Sequence, residues 1–208
     1  MTAMTSQPND RPGISPALAA LRAATQALHA DLDSRSPLAA PLTEADYLDH
    51  AARVLGWMRP LEQALWVHWP DAQDAAQRQG KSLWLEADLL AGAYDAAGLN
   101  NLPTCRAIPV PASLAEAFGV AYVAEGATLG GRVLYKRHRP MLETLPLRWL
   151  HGYGEHTGER WGAFLRLLAE HVTSDEQITL AQAAAVQAFS SFRDWVLDSA
   201  PPRGAAPA

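Results

Sequence analysis

Between residues 15 and 198 apolar positions recur three and four apart, and alternating β-branched runs are missing. That pattern predicts helix nearly throughout. Ser15 and Pro16 make a helix start, with serine as N-cap and proline in the first turn. Leu18, Leu21, Thr25, Leu28 and Leu32 then follow at helical spacing, and Ser36-Pro37 ends the run. Thr43 and Asp46 form a capping box for a second helix running towards His68, which Pro60 should kink. A third helix is expected over 81–97, ending near Gly98, and 101–111 reads as a loop. A long helix interrupted by glycines spans Ser113 to Arg139, and another spans 156–172. The last opens at a Thr173/Ser174 cap with Glu176 and Gln177 and ends near Asp198. The expected architecture is all-α, a single-domain helical bundle over 15–199. Segments 1–14 and 200–208, polar or rich in Pro, Gly and Ala, are expected to be disordered.

Composition narrows the function classes. With 208 residues, 49% hydrophobic and 19% charged, the chain can bury one full core. A net charge of −5 argues against a broad nucleic-acid footprint, although Arg132, Lys136, Arg137, His138 and Arg139 form a local basic cluster. One cysteine, Cys105, precludes an internal disulfide and suits a reducing cytoplasm. No apolar stretch is long enough to span a bilayer, and the N-terminal residues lack the apolar core of a secretory signal. The expectation is a soluble, cytoplasmic protein that engages neither membrane nor nucleic acid.

Two segments carry candidate chemistry. In LRAATQALHADLD (21–33), His29 stands among Leu and Ala on an amphipathic helix, with Asp33 one turn on and Arg22 two turns before it. A carboxylate at Asp33 can accept the Nδ1 proton, fix the tautomer and aim Nε2 outward as a metal ligand. Arg22 on the same face suits an anionic cofactor. The plainer alternative is a half-buried histidine satisfied by Asp33. In AFGVAYVAEGATLGGRVLYKR (117–137), Gly119, Gly126 and Gly130 fall near one helix face, and Gly131 adds another small position. Glycine inside a helix costs about 1 kcal/mol relative to alanine, so several together need a reason. One reason is close approach of backbone to a flat cofactor; the other is close helix–helix packing. Together the two segments suggest a planar metal cofactor held between helices, ligated on one side and covered on the other.

The same two segments resemble a known family. L-R-x-A-T-x-x-L-H-x-x-L-D is similar to the proximal-helix motif of haem oxygenases. A-Y-V-A-E-G-A-T-L-G-G resembles the distal helix of bacterial members, including those encoded with bacteriophytochromes. PLE (60–62) and WGAFLRLL (161–168) extend the likeness over most of 16–198. The resemblance implies that His29 is the axial ligand to haem iron and that Asp33 is the carboxylate hydrogen-bonded to it. Arg22, Tyr122 and, less directly, Arg166 match residues near the haem propionates. Gly126 and Gly130 match the distal glycines. Ala127 stands where animal-type enzymes carry an aspartate that organises water, so water there falls to the backbone carbonyls of Gly126 and Ala127, helped by Thr128. The implied reaction is oxidative opening of haem to biliverdin with release of CO and ferrous iron. Haem is then substrate and cofactor, with O2 as oxidant and electrons from an external donor, since no flavin or nicotinamide fingerprint is present.

The basic cluster at 132–139 suits docking of a ferredoxin-type or other reductase, or is a solvated helix end. A bacteriophytochrome is a conceivable biliverdin acceptor. Three other functions stay in view. One is a non-catalytic haem-binding or haem-carrier protein of the same fold. Another is a thiaminase-like enzyme using Cys105, which lies in a Pro-rich loop without an evident base. A di-iron bundle is disfavoured by the lack of a Glu-x-x-His motif.

Overall fold

Helix ends in this chain are set mainly by serine, threonine and aspartate side chains. In the computed structural model, which describes residues 14–92 and 94–198, Ser15 accepts a hydrogen bond from the Leu18 amide at 3.2 Å and opens α1 (Pro16–Arg35). Thr43 and Asp46 cap each other's amides at the start of α2 (Glu44–Leu65). Pro60 lies inside α2, and the helix carries on through it to Leu65. A 3₁₀ turn at Trp66–His68 extends it, in line with the expected end near His68. Asp71 caps α3 (Ala72–Arg78), which the sequence reading did not foresee.

The helix expected over 81–97 is two helices. α4 (Lys81–Ala91) stops at Gly92, and α5 (Ala96–Asn100) begins at its own cap, Asp95. A side chain at Gly92 would meet Leu48 at 2.5 Å, so the chain turns away at the one residue that fits. α4 has no side-chain cap of its own; Glu62 of α2 reaches over to accept from the Lys81 and Ser82 amides. Ser113 caps α6 (Leu114–His138), the longest helix. The short α7 (Arg148–His151) was also not anticipated. α8 (Thr157–His171) and α9 (Asp175–Arg193) fall where expected, the latter opened by a Ser174–Gln177 capping box. Beyond α9 one π-helical turn runs from Asp194 to Asp198. The two segments expected to be disordered lie outside the described residues, apart from Ile14. No strand occurs among the described residues, and the fold is all-α.

Helix α9 packs against both α6 and α1, while α2 packs on α4. The core between them includes Leu21, Tyr47, Leu55, Trp57, Phe118 and Phe164, all essentially buried. Each such side chain contributes about 1.5–3 kcal/mol of hydrophobic stabilisation. Trp69, Phe118, Phe164 and Trp161 form a run of ring contacts linking α6 to α8.

Candidate functional site

Helix α1 changes character along its length. Its first half buries Ala17, Leu18, Leu21 and Thr25 at the spacing of one helix face. Past Thr25 that face opens, and His29 keeps 64% of its side chain exposed. His29 Nδ1 lies 2.9 Å from a carboxylate oxygen of Asp33 one turn on. That partner favours a proton on Nδ1 and leaves Nε2 with its lone pair outward. The ring leans on Phe189 of α9, with centroids 5.8 Å apart, so packing restrains its tilt. An open cleft of about 520 Å³ adjoins it, lined by Arg22, Gln26, His29, Asp33 and, from α6, Tyr122. That volume lies within the range of roughly 300–1,000 Å³ usual for cofactor and small-ligand sites.

The facing helix makes the same change. From Ala115 to Glu125 nearly every residue of α6 is buried; beyond that it opens. Gly119, Gly126 and Gly130 share a face but not a role. A Cβ on Gly119 would fall 2.1 Å from the Ala181 carbonyl oxygen, so there α6 and α9 pack backbone to backbone. A Cβ on Gly126 or Gly130 would meet nothing within 4 Å. The two explanations for the glycines therefore divide between them: Gly119 serves helix packing, while Gly126 and Gly130 leave open space. Gly126 and Gly130 continue the i, i+4 row that begins at Tyr122 in the cleft wall. Leu129 and Val133, the latter 71% exposed, stand on the same side of α6. An imidazole with a free nitrogen in the cleft, and an apolar, side-chain-poor face farther along the same row of α6 as Tyr122, suit a flat, largely apolar ligand that brings its own metal donors. Among the described residues no group of three or more His, Cys, Asp and Glu side chains is placed to hold a bare metal ion.

Charge is placed to match. Arg22 lines the cleft with no ion pair or side-chain hydrogen bond among the described residues. Tyr122 lies against Trp161 of α8, centroids 5.9 Å apart, and its hydroxyl is likewise uncommitted there. Arg166 is exposed on α8 and is not among the cleft-lining residues. Thr128 is turned away: it is buried, its hydroxyl donates to the Ala124 carbonyl at 3.1 Å, and its methyl faces Gly152. Ala127 is half-buried beside Gly126. The structure thus brings together His29, Asp33, Arg22 and Tyr122 around one cleft. Gly126 and Gly130 follow Tyr122 at successive turns of α6 with open space before them, but they, Thr128 and Arg166 are not among the residues that line it.

The basic cluster divides similarly. His138 is buried with Nε2 2.9 Å from the Leu38 carbonyl, and Arg139 donates to the Leu145 carbonyl. Lys136 and Arg137 remain exposed on α6. Cys105 is buried, and burial pushes its thiol up, away from nucleophilic thiolate.

Sequence reasoning missed a buried ionic cluster behind α6. Glu125, next to Gly126, receives Lys81 Nζ at 2.8 Å and lies 3.2 Å from Arg78 Nη1, all three side chains being shut off from solvent. Tyr153 donates to the same carboxylate at 3.1 Å. Burial, helped by Glu125 and opposed by Lys81, pushes the Tyr153 hydroxyl up to about 12. For Lys81 burial works against the charge, but Glu125 and Tyr153 outweigh it and the ammonium is held above its ordinary range. One signal was available: Glu125 is a lone charge after the apolar run from Phe118 to Ala124.

A comparison with curated proteins finds no match. The described helices include none long and apolar enough to cross a membrane. A family model does match, over residues 15–198, the span that contains both walls of the cleft, and on that match the chain belongs to the haem oxygenase family.

Proposed function

We propose that this chain is a biliverdin-producing haem oxygenase that takes haem into the α1–α6 cleft with His29 as axial ligand. The observation that carries the reading is the pairing of two walls: an outward-facing imidazole anchored by Asp33 on α1, and a glycine face on α6 with open space before it. Bound haem supplies both the iron at which O2 is reduced and the porphyrin carbon that is oxidised, yielding biliverdin, CO and ferrous iron. The protein's own work is binding, orientation and control of water. Asp33 fixes the imidazole tautomer and aims the ring. Arg22, with Tyr122, offers charge-assisted and neutral hydrogen bonds to carboxylates at one edge of the ligand. Gly126 and Gly130 let a flat ring approach the helix backbone. Ala127 presents no acid, so on this wall water is held by the carbonyls of Gly126 and Ala127. Arg166 and Thr128 are not needed for this arrangement.

Electrons come from an external ferredoxin-type or other reductase, for which the exposed Lys136 and Arg137 beside the open end of α6 are a suitable landing point. We place the protein with the bacterial, bacteriophytochrome-associated group and in the cytoplasm, with a bacteriophytochrome as candidate biliverdin acceptor. The second reading is a haem carrier without turnover. It draws on Thr128, whose hydroxyl is tied back to the Ala124 carbonyl and offers no proton towards the Gly126–Gly130 face. Haem titration of the wild type and His29→Ala, followed by addition of a reductant under air, tests both. Turnover by the wild type gives biliverdin absorbance, and His29→Ala loses the histidine-ligated Soret band and the product. Haem that binds and stays intact selects the carrier; identical spectra for the two proteins remove His29 from the site.

A further inference from the structure

Behind the glycine face, α6 is fastened by a backbone segment of unusual conformation. Between residues 147 and 154 three residues adopt left-handed backbone: Leu147 (φ +50°), Gly152 (φ +57°) and Gly154 (φ +63°). For leucine that region is disfavoured and must be held by its surroundings. The holding group is Asp88, buried in the core. It accepts from the Arg148 and Trp149 amides at 2.6 and 3.0 Å and from the Tyr47 hydroxyl at 2.6 Å. The segment then meets α6 at successive turns. Tyr153 bonds Glu125, Gly152 sits on the Thr128 methyl, the Leu150 carbonyl abuts Gly131, and the His151 and Tyr135 rings lie 4.9 Å apart. Positions 128 and 131 are on the far side of the helix from Gly126, at the same height as the open face.

Apolar contacts alone allow a helix to slide or roll slightly. A buried carboxylate facing two buried cations adds little net stability, but separating them leaves uncompensated buried charge, so displacement of α6 along this contact is costly. Lys81 directs its ammonium to three acceptors, namely Glu125, the Tyr153 hydroxyl and the Arg78 carbonyl, which uses all three of its protons. The cluster is centred on the residue preceding Gly126.

We propose that Glu125 and Tyr153 are positioning residues: through this cluster and segment 147–154 they set how far the Gly126–Gly130 face stands from the flat ligand. The consequence for chemistry rests on the reading of the cleft as a haem site; the fastening of α6 does not. Glu125→Gln strands two buried cations and puts the fold at risk, so Tyr153→Phe is the decisive variant. It removes one hydroxyl and keeps the ring against Trp84.

Two measurements on each full-length variant test the proposal. Hydrogen exchange of the free protein should show amides of 122–134 losing protection by about tenfold while α1 and α9 keep theirs. In the CO complex of the haem-loaded protein the C–O stretching band should broaden or split, with haem affinity within about threefold of wild type. Exchange that is unchanged, or raised equally in every helix, overturns the proposal, since a merely structural cluster lowers protection everywhere. Local exchange with an unmoved CO band overturns the link to the site. A wild-type chain that takes up no haem refutes the reading of the cleft instead, and the exchange result still decides the fastening of α6.

Discussion

Replacing the α6 glycines by alanine should change stability with opposite signs along one helix face. At Gly119 the added Cβ would lie 2.1 Å from the Ala181 carbonyl oxygen and 3.0 Å from the Ala184 methyl. Backbone cannot swing aside as a side-chain tip can, so α6 and α9 must separate. Overpacking of this kind costs about 1–3 kcal/mol, and a backbone neighbour places Gly119→Ala at the upper end. At Gly126 and Gly130 the same methyl meets nothing within 4 Å. There only the intrinsic preference acts, and alanine gains about 0.5–1 kcal/mol over glycine inside a helix. For a domain of this size, 1 kcal/mol moves Tm by about 2–4 °C. Gly126→Ala and Gly130→Ala should therefore each raise the Tm of the free protein, while Gly119→Ala lowers it. Haem affinity should move the other way. A methyl between helix and ring repels by overpacking, so Gly126→Ala should weaken binding by about tenfold, or 1.4 kcal/mol. Thermal unfolding of the free variants and Soret titration supply both numbers. A Gly126→Ala protein that is less stable than wild type would show that the face is covered. One that is more stable and binds haem equally well would remove that face from the ligand site.

Other expectations follow from single groups. Asp33→Ala should cost about 10–100-fold in haem affinity or turnover, because the imidazole loses its orienting acceptor. The exposure of the pair keeps the change in free-protein stability within about 0.5 kcal/mol, so urea unfolding alongside haem titration separates the two. An unchanged affinity and activity would make the carboxylate a bystander. His50 is buried with Nδ1 unpartnered, and burial pushes it from 6.5 to about 4. Between those values the unfolded chain binds the extra proton, so stability should fall as pH drops from about 6.5 towards 4 and level off below. A shift of that size corresponds to about 3 kcal/mol, and His50→Gln should flatten this part of the profile; an equal slope in both proteins, measured by urea unfolding, would count against it.

The helices were legible where local rules act. Ser15, Thr43 with Asp46, and Ser174 with Gln177 mark starts that depend only on residues within one turn, and the structure keeps each. The break at Gly92 was missed because its cause is Leu48, more than forty residues away, which no window along the chain contains. α7 was missed for the same reason, since its amides are satisfied by Asp88 rather than by a neighbouring cap. At the site, the His29–Asp33 spacing carried over directly, as an i, i+4 pair on one helix must. The glycines could not be told apart in sequence, because the difference between Gly119 and Gly126 lies in whether α9 is there. Thr128 and Arg166 lie outside the cleft lining for different reasons: Thr128 shares α6 with Tyr122 but turns its hydroxyl back to Ala124, and Arg166 is exposed on α8, which supplies no residue to that lining.

The tight crossing at Gly119 also has a mechanical meaning. With α6 pressed to α9 at Gly119 and gripped from behind at Gly131, the helix is a beam clamped at two points. Twelve residues separate the clamps, about 18 Å at 1.5 Å per residue. The open face at Gly126 lies on the span between them, so it cannot swing as a lever would. Passage of a small molecule across that face would then demand movement of the molecule or of exposed side chains at its edge, not of the helix.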